Sequence, residues 1–269
     1  MTFTDRYGPW ALVAGASDGV GAAFAEGLAE RGVNVVLLAR RQQVLDRVAE
    51  TITSRTGAQT RTLAIDLSDD GATEAIAAAT ADLEIGFLVY CAGADPTFAH
   101  FLDQPVAAAE AMVARNCITP VRLCHHFAAP MVARGRGGIV LFGSGAGFAG
   151  GPNMVAYGAS KAFDMVFAEA LWAELHDKGV DVVGLILGKT DTPALRTLEH
   201  SRGVLPDADT APPDATPVAD VVAEAFASLT AGPTVLVGEQ MKAVAPLLAS
   251  MTRNEAVALI TAASAAAMG

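Results

Sequence analysis

The chain has 269 residues, 52% of them hydrophobic and 17% charged, with a formal charge of −11. That length and apolar content suit one large α/β domain with a sizeable core. The acidic balance, with no basic tail or stripe, argues against a nucleic-acid partner, and no uninterrupted apolar run of about 18 residues marks a membrane span.

Three cysteines, Cys91, Cys117 and Cys124, form no CxxC pair. Neither a metal site nor a disulfide framework is expected, and a reducing, cytoplasmic setting is. Residues 1–10 lack the basic-then-apolar order of a signal peptide.

Trp10 to Ala14 is a short apolar run and reads as the first strand. It meets Gly15-Ala16-Ser17-Asp18-Gly19-Val20-Gly21, and a helical pattern follows as far as Arg31. Strand, glycine loop and helix form the context of a dinucleotide site, where glycines let the backbone approach a pyrophosphate and the helix N-terminus offers free N–H groups. The spacing is GxxxGxG rather than GxGxxG. Val33 to Ala39, nearly all apolar, reads as a second strand buried on both faces. Arg40 and Arg41 follow where an acid would read a ribose 2′-OH; guanidinium suits a 2′-phosphate, so NADP(H) is expected over NAD(H).

A third strand is expected over Thr60 to Ile65, ending at Asp66-Leu67. The Asp66 carboxylate either accepts from an adenine amino group or caps a helix over 69–81. Ile85 to Tyr90 is a fourth strand running into Cys91-Ala92-Gly93-Ala94, small residues that admit a ligand. Residues 105–134 read as one helical region containing Asn116, a residue type that in mid-helix usually faces water. His125 and His126 in it read as surface or packing residues.

The fifth strand, Gly138 to Gly143, carries Ser144 at its tip. After a glycine-rich loop comes Val155-Ala156-Tyr157-Gly158-Ala159-Ser160-Lys161, with Tyr157 and Lys161 at i and i+4 on one helical face. An ammonium one turn away would favour the phenolate, so the pair could exchange a proton with a substrate oxygen. Ser144 is placed to join them. Asp181 to Leu187 is a sixth strand, followed by Gly188 and Thr192. Residues 193–217, with Pro206, Pro212, Pro213 and Pro217, read as an irregular substrate loop. Val218 to Leu229 is a helix, Pro233 to Val237 a seventh strand, and 240–269 a helical tail interrupted at Pro246. Alternating strands and helices give a doubly wound parallel sheet of about seven strands, which binds ligands at the carboxyl ends of its strands.

Gly15-x-x-x-Gly19-x-Gly21, Asp66-Leu67, Ala92-Gly93, Asn116, Ser144, Tyr157-x-x-x-Lys161 and Gly188-x-x-x-Thr192 stand in one order and spacing across residues 8–240. In this the chain resembles the short-chain dehydrogenase/reductase family, and Arg40 its NADP(H)-preferring members. The resemblance implies a single Rossmann-fold oxidoreductase acting on a ketone or secondary alcohol. It gives Tyr157 the role of general acid/base, Lys161 that of supporting the phenolate and holding the nicotinamide ribose, Ser144 that of polarising the substrate oxygen, and Asn116 that of holding a relay water. It implies cofactor contacts from Gly15 to Gly21 (Ser17, Asp18 and Val20 included), from Arg40 and Arg41, from Asp66 and Leu67, and from Cys91, Ala92 and Gly93. Further contacts would come from Tyr157, Lys161, Gly188, Thr190 and Thr192. It also implies a homodimer or homotetramer through the Asn116 and Tyr157 helices; the apolar face Ala162, Phe163, Val166, Phe167 and Ala170 suits either that interface or burial within the fold. Departures are Ala14 for the usual threonine, Tyr90-Cys91 for Asn-Asn, and Leu187 for proline. The expected substrate is a small, apolar molecule bordered by Phe148, Met154, Leu195, Leu198 and Leu205. The alternatives are an NAD-linked alcohol dehydrogenase of the same family and a non-catalytic cofactor-binding regulator.

Overall fold

Successive side chains of a strand point to opposite faces, so a strand with no polar alternation must be covered twice. A computed structural model of the chain, which describes residues 2–94 and 97–268 and side chains as far as Ala263, bears this out. Gly269, the last residue of the expected tail, lies outside the described residues. The strands β1 (Trp10–Ala14), β2 (Asn34–Ala39), β3 (Thr60–Ala64), β4 (Ile85–Tyr90), β5 (Gly137–Ser144), β6 (Val180–Leu187) and β9 (Thr234–Val237) form one sheet in the order β3-β2-β1-β4-β5-β6-β9. Every neighbouring pair is parallel.

Along β1, Ala11 and Val13 enter one core while Leu12 and Ala14 enter the other; Phe87 and Val89 part from Leu88 and Tyr90 in the same way on β4. One layer is covered by α2 (Gly19–Glu30), α3 (Gln42–Thr56) and α9 (Val218–Ala227), through Phe24, Leu28, Leu45, Ile52 and Val221. The other is covered by α4 (Ala72–Ala79), α6 (Thr119–Arg134) and α7 (Val155–Leu175), through Ile76, Leu123, Met131 and Ala168. This is the doubly wound Rossmann-type sheet. The strand order reverses between β1 and β4, and that reversal opens a crevice at their carboxyl ends.

Three stretches differ from the sequence expectation. The 105–134 region is helical without a break from Val106 to Arg134, but a π turn interrupts its regular winding. It is α5 (Val106–Val113), a π-helical turn over Ala114–Ile118, and α6. Residues 193–217 are not wholly irregular, because α8 (Pro193–Ser201) opens the segment. Thr192 caps α8 by accepting from the Leu195 N–H at 3.2 Å. The segment closes by pairing a short strand, β8 (Thr216–Pro217), with β7 (Thr190–Asp191). The Asp191 carboxylate and Arg196 guanidinium, 2.6 Å apart, tie that end together. The tail is two helices, α10 (Glu239–Ala249) and α11 (Arg253–Met268), and Pro246 sits inside the first rather than breaking it.

The amino edge of the sheet is closed by α1 (Phe3–Tyr7), whose Tyr7 ring packs 4.9 Å from that of Phe87. One carboxylate holds it there. Asp181 on β6 accepts from Arg6 Nε at 2.6 Å, Arg6 Nη2 at 2.7 Å and the Tyr7 hydroxyl at 2.6 Å. Burial, reinforced by Asp181, pushes the Tyr7 hydroxyl above its ordinary pKa, so it stays a donor. Removing the acceptor leaves three donor groups, on Arg6 and Tyr7, without it. Asp181→Ala is expected to lower stability by about 2–4 kcal/mol in urea unfolding. Asp177→Ala, whose side chain is 89% exposed, should move it by no more than about 0.5 kcal/mol. Equal effects would remove Asp181 as the anchor of α1.

Candidate active site

The crevice between β1 and β4 is shaped by backbones that nearly touch. Gly15 has φ +88°, and a Cβ there would stand 2.8 Å from the Ala92 nitrogen. A Cβ at Gly21 would stand 2.2 Å from the Gly15 carbonyl oxygen, so the loop can fold onto the helix start only with glycine at that position. Asp18 caps α2 by accepting from the Gly19 N–H at 2.8 Å. The N–H groups of Val20 and Gly21 are left without an intrahelical acceptor. A tight glycine-rich loop on the positive end of a 12-residue helix suits a pyrophosphate. Thr192 is brought to the same loop, its Cγ2 lying 3.1 Å from where a Gly19 Cβ would be.

At the end of β2, Arg40 and Arg41 are exposed and, among the described residues, in no ion pair. Asp66 is not the cap of α4, since Gly71 precedes that helix. Its carboxylate accepts from the Ser68 N–H at 2.9 Å and Oγ at 2.6 Å, and these bonds, followed by the charges of Arg40 and Arg115, hold it below the ordinary carboxylate range. Thr119 Oγ donates to the Leu67 carbonyl at 2.7 Å, which pins this corner to α6. Loop, arginines and Asp66 all stand at the carboxyl ends of β1 to β3, the edge where such a sheet binds a dinucleotide. Cys91, at the tip of β4, is pushed up to about 12 by burial, so its thiol is un-ionised near neutral pH.

The polar groups of α7 lie on the other side. Asn116 is 1% exposed rather than facing water. The π turn supplies the reason, because an extra residue in a turn rotates the side chain that follows it. The Tyr90 hydroxyl, at the position where the family has asparagine, donates to the Arg115 carbonyl of that turn at 2.5 Å. Asn116 Nδ2 then donates to Ser160 Oγ at 2.9 Å and, more weakly, to the Gly93 carbonyl at 3.3 Å. Ser160 Oγ donates in turn to the Tyr157 carbonyl at 2.8 Å.

Lys161 Nζ sits 5.8 Å from the Tyr157 ring centroid. It donates to the Phe142 carbonyl at 2.6 Å and to Asp164 Oδ2 at 2.9 Å. Ser144 Oγ accepts from the Ala146 N–H at 3.2 Å. The loop after it lies on the α7 backbone, since a Cβ at Gly147 would meet the Lys161 carbonyl carbon at 2.7 Å and one at Gly158 would meet the Ala146 oxygen at 2.9 Å. Ser144, Tyr157, Lys161 and Asn116 are thus drawn to one corner.

Beside Tyr157 opens an apolar cleft lined by Ala99, Phe101, Val106, Ala109, Met112 and Asn153 among others. It is apolar, as the sequence suggested, but the lining comes from α5 and the segment before it. Phe148, Met154, Leu195, Leu198 and Leu205 are not among the lining residues, and Leu205 is buried. The tail also reaches the site. Arg253 Nη1 donates to the Phe148 carbonyl at 2.6 Å, and the Met241 sulfur lies 2.7 Å from where a Gly145 Cβ would be. Neither tail residue nor Ser160 nor Asp164 was marked by sequence reasoning. The buried partners Ser160 and Asp164 lie in the same helical segment as Tyr157-x-x-x-Lys161 and could have been flagged by their i+3 spacing.

A dinucleotide crevice beside a half-buried tyrosine backed by a buried lysine defines a nicotinamide-dependent oxidoreductase, and a family model described as short chain dehydrogenase matches residues 9–203. The chain belongs to that family, whose members act on CH–OH groups. Among its relatives, a 7beta-hydroxysteroid dehydrogenase of Collinsella aerofaciens is 37% identical over 195 residues, covering 72% of this chain and 74% of the relative. One of Mediterraneibacter gnavus is 35% identical over 243 residues, covering 90% and 91%. A solved 7beta-hydroxysteroid dehydrogenase superposes with a TM-score of 0.87 at 34% identity, covering 97% of this chain and 99% of the other. A short-chain dehydrogenase from Sphingobium yanoikuyae in complex with NADPH superposes with a TM-score of 0.76 at 28% identity, covering 91% and 96%.

Gly93, with φ +135°, stands where the two sides of the site meet, since a Cβ there would lie 2.8 Å from Asn116 Oδ1. Gly93→Ala is expected to cost about 1–3 kcal/mol of stability and to weaken cofactor binding, read by urea unfolding and by thermal shift with NADP⁺. Gly150→Ala, which meets nothing within 4 Å, should leave both unchanged.

Proposed function

We propose that the protein is an NADP(H)-dependent oxidoreductase that interconverts a ketone and a secondary alcohol on a bulky apolar substrate of the steroid class. The observation that carries this reading is the apolar cleft opening on Tyr157 at the carboxyl edge of the sheet. The hydroxysteroid dehydrogenases among its relatives support the substrate class.

The nicotinamide cofactor supplies or accepts the hydride. In reduction, Tyr157 donates its phenolic proton to the carbonyl oxygen, and in oxidation it takes that proton back. The Lys161 ammonium stabilises the phenolate by charge across a dry corner. Ser144 donates to the same substrate oxygen. Asn116 anchors the corner through Ser160, and water at the π turn carries protons between Lys161 and solvent. The Arg40 guanidinium, exposed and free of an ion pair among the described residues, would take the 2′-phosphate, with Arg41 beside it. The apolar residues Val113, Ile118, Val121 and Val166 are exposed on α5 to α7. They support a homodimer or homotetramer through these helices. The segment from 193 to 217 would form one wall of the substrate entrance, and a cytoplasmic setting suits the three free thiols.

Tyr157→Phe should bind NADP⁺ as the wild type does in thermal shift and lose more than nine-tenths of kcat/KM for steroid ketones with NADPH. Retention of more than a tenth, less than about 1.4 kcal/mol of transition-state stabilisation, would remove Tyr157 as the general acid. Arg40→Ala should weaken NADP⁺ binding roughly tenfold to a hundredfold, as the loss of a charge-assisted contact does, and leave NAD⁺ affinity within about twofold. A wild-type protein shifted more by NAD⁺ than by NADP⁺ would favour the NAD-linked reading.

A further inference from the structure

The reading above asks Lys161 to carry a positive charge in a place that opposes one. Its side chain is 6% exposed, and so is that of Asp164, one turn further along α7. An ammonium removed from water gives up its proton readily unless something compensates it, and fully buried lysines lose several units of pKa. Lys161 Nζ has two acceptors, the neutral Phe142 carbonyl at 2.6 Å and the Asp164 carboxylate at 2.9 Å. Only the second bears charge.

We propose that Asp164 is a positioning residue that acts through Lys161, serving as the buried counter-ion that keeps its amine an ammonium across the alkaline range in which alcohol oxidation runs. This rests on the role given to Lys161 in the proposed function.

The other titratable groups around the pair do not replace Asp164. Tyr157 faces Lys161 from the same helix, Cys91 faces it from the end of β4, and Cys117 and Cys124 approach from the π turn and α6. Burial pushes Cys91 up to about 12 and Cys117 up to about 11, and raises Cys124 and Tyr90 as well, so all four are neutral at working pH. Arg115 adds a positive charge on the Tyr90 side. Asp164 is the one carboxyl group of this set. Burial presses Lys161 toward the free amine, yet the Asp164 carboxylate, followed by Tyr157, outweighs it and sets Lys161 above the ordinary lysine value. Asp164 bears the reciprocal strain, because burial raises its own carboxyl and the ammonium holds it back only in part. The pair is therefore mutually dependent, and the loss of either charge leaves the other uncompensated.

The sign follows. With Asp164 in place, Lys161 stays charged up to and beyond its ordinary value of 10.5. With a neutral isostere, the amine loses its proton at lower pH, the phenolate of Tyr157 loses its cation, and oxidation fails on the alkaline side while the rate near neutral pH is largely kept.

The chain contains only four lysines, Lys161, Lys178, Lys189 and Lys242, so the charge can be read directly. In full-length protein labelled with 13C-lysine, the Lys161 ε-CH₂ signal is assigned by Lys161→Arg and followed from pH 7 to 11. The wild-type signal should not titrate below pH 10.5, Asp164→Asn should titrate at least one unit lower, and Asp164→Glu should restore the wild-type behaviour. In parallel, NADP⁺-dependent oxidation by Asp164→Asn should gain a falling limb between about pH 8 and 10 that the wild type lacks. A wild-type Lys161 that titrates below the ordinary value, or one in Asp164→Asn that titrates at or above it, would overturn the proposal. The wild-type titration decides even where Asp164→Asn does not fold. Because the signal reports lysine charge without turnover, it stands apart from Tyr157→Phe. Activity surviving in Tyr157→Phe removes the proton-transfer reading alone, and an unshifted Lys161 removes the counter-ion alone.

Discussion

A parallel sheet buried on both faces has nowhere to put polar chemistry except its ends. The inner strands β2, β1, β4, β5 and β6 send apolar side chains into a core on either face of the sheet. Polar groups are tolerated where the strands stop. The amino edge uses this for anchorage, with Asp181 gathering Arg6 and Tyr7. The carboxyl edge uses it for chemistry, at the opening that the order reversal between β1 and β4 leaves there.

The second constraint is close approach. Gly15 against Ala92, Gly93 against Asn116 and Gly147 against Lys161 are contacts between separate elements, Gly21 against Gly15 closes the loop on itself, and each excludes a methyl group. They lock the dinucleotide loop to β4, β4 to the π turn, and the Ser144 loop to α7. The nicotinamide crevice and the Tyr157 corner are parts of one rigid packing, and a side chain added at any of these joints disturbs both.

Within that packing α7 carries unusual polarity for a buried helix. Ser160, Lys161 and Asp164 are all buried, and each finds a partner. Ser160 links Asn116 to the backbone of Tyr157, and Asp164 answers the charge of Lys161. Polar groups in a dry interior are costly unless satisfied, and once satisfied they fix orientation tightly. That is the property wanted of groups that must hand over a proton.

The sequence by itself determined the strands, their burial and the identity of the reacting groups, because apolar runs and fixed spacings are local properties of the chain. Trp10 to Ala14, Ile85 to Tyr90 and Asp181 to Leu187 could be placed without coordinates, as could Gly15 to Gly21 and the Tyr157-x-x-x-Lys161 turn. Tertiary structure decided what depends on partners far along the chain. Asn116 reads as a solvent-facing helical residue until the π turn, held by Tyr90, rotates it inward. The cleft beside Tyr157 takes its walls from α5 rather than from the leucines after Thr192, because helix packing, not proximity in sequence, sets what faces the opening. Asp66 turns to Ser68 instead of capping a helix, and the tail comes back to Phe148 through Arg253. Hydrophobic periodicity encodes which face of an element is buried, but not which element it meets, and the charge balance around Lys161 exists only once that meeting has occurred.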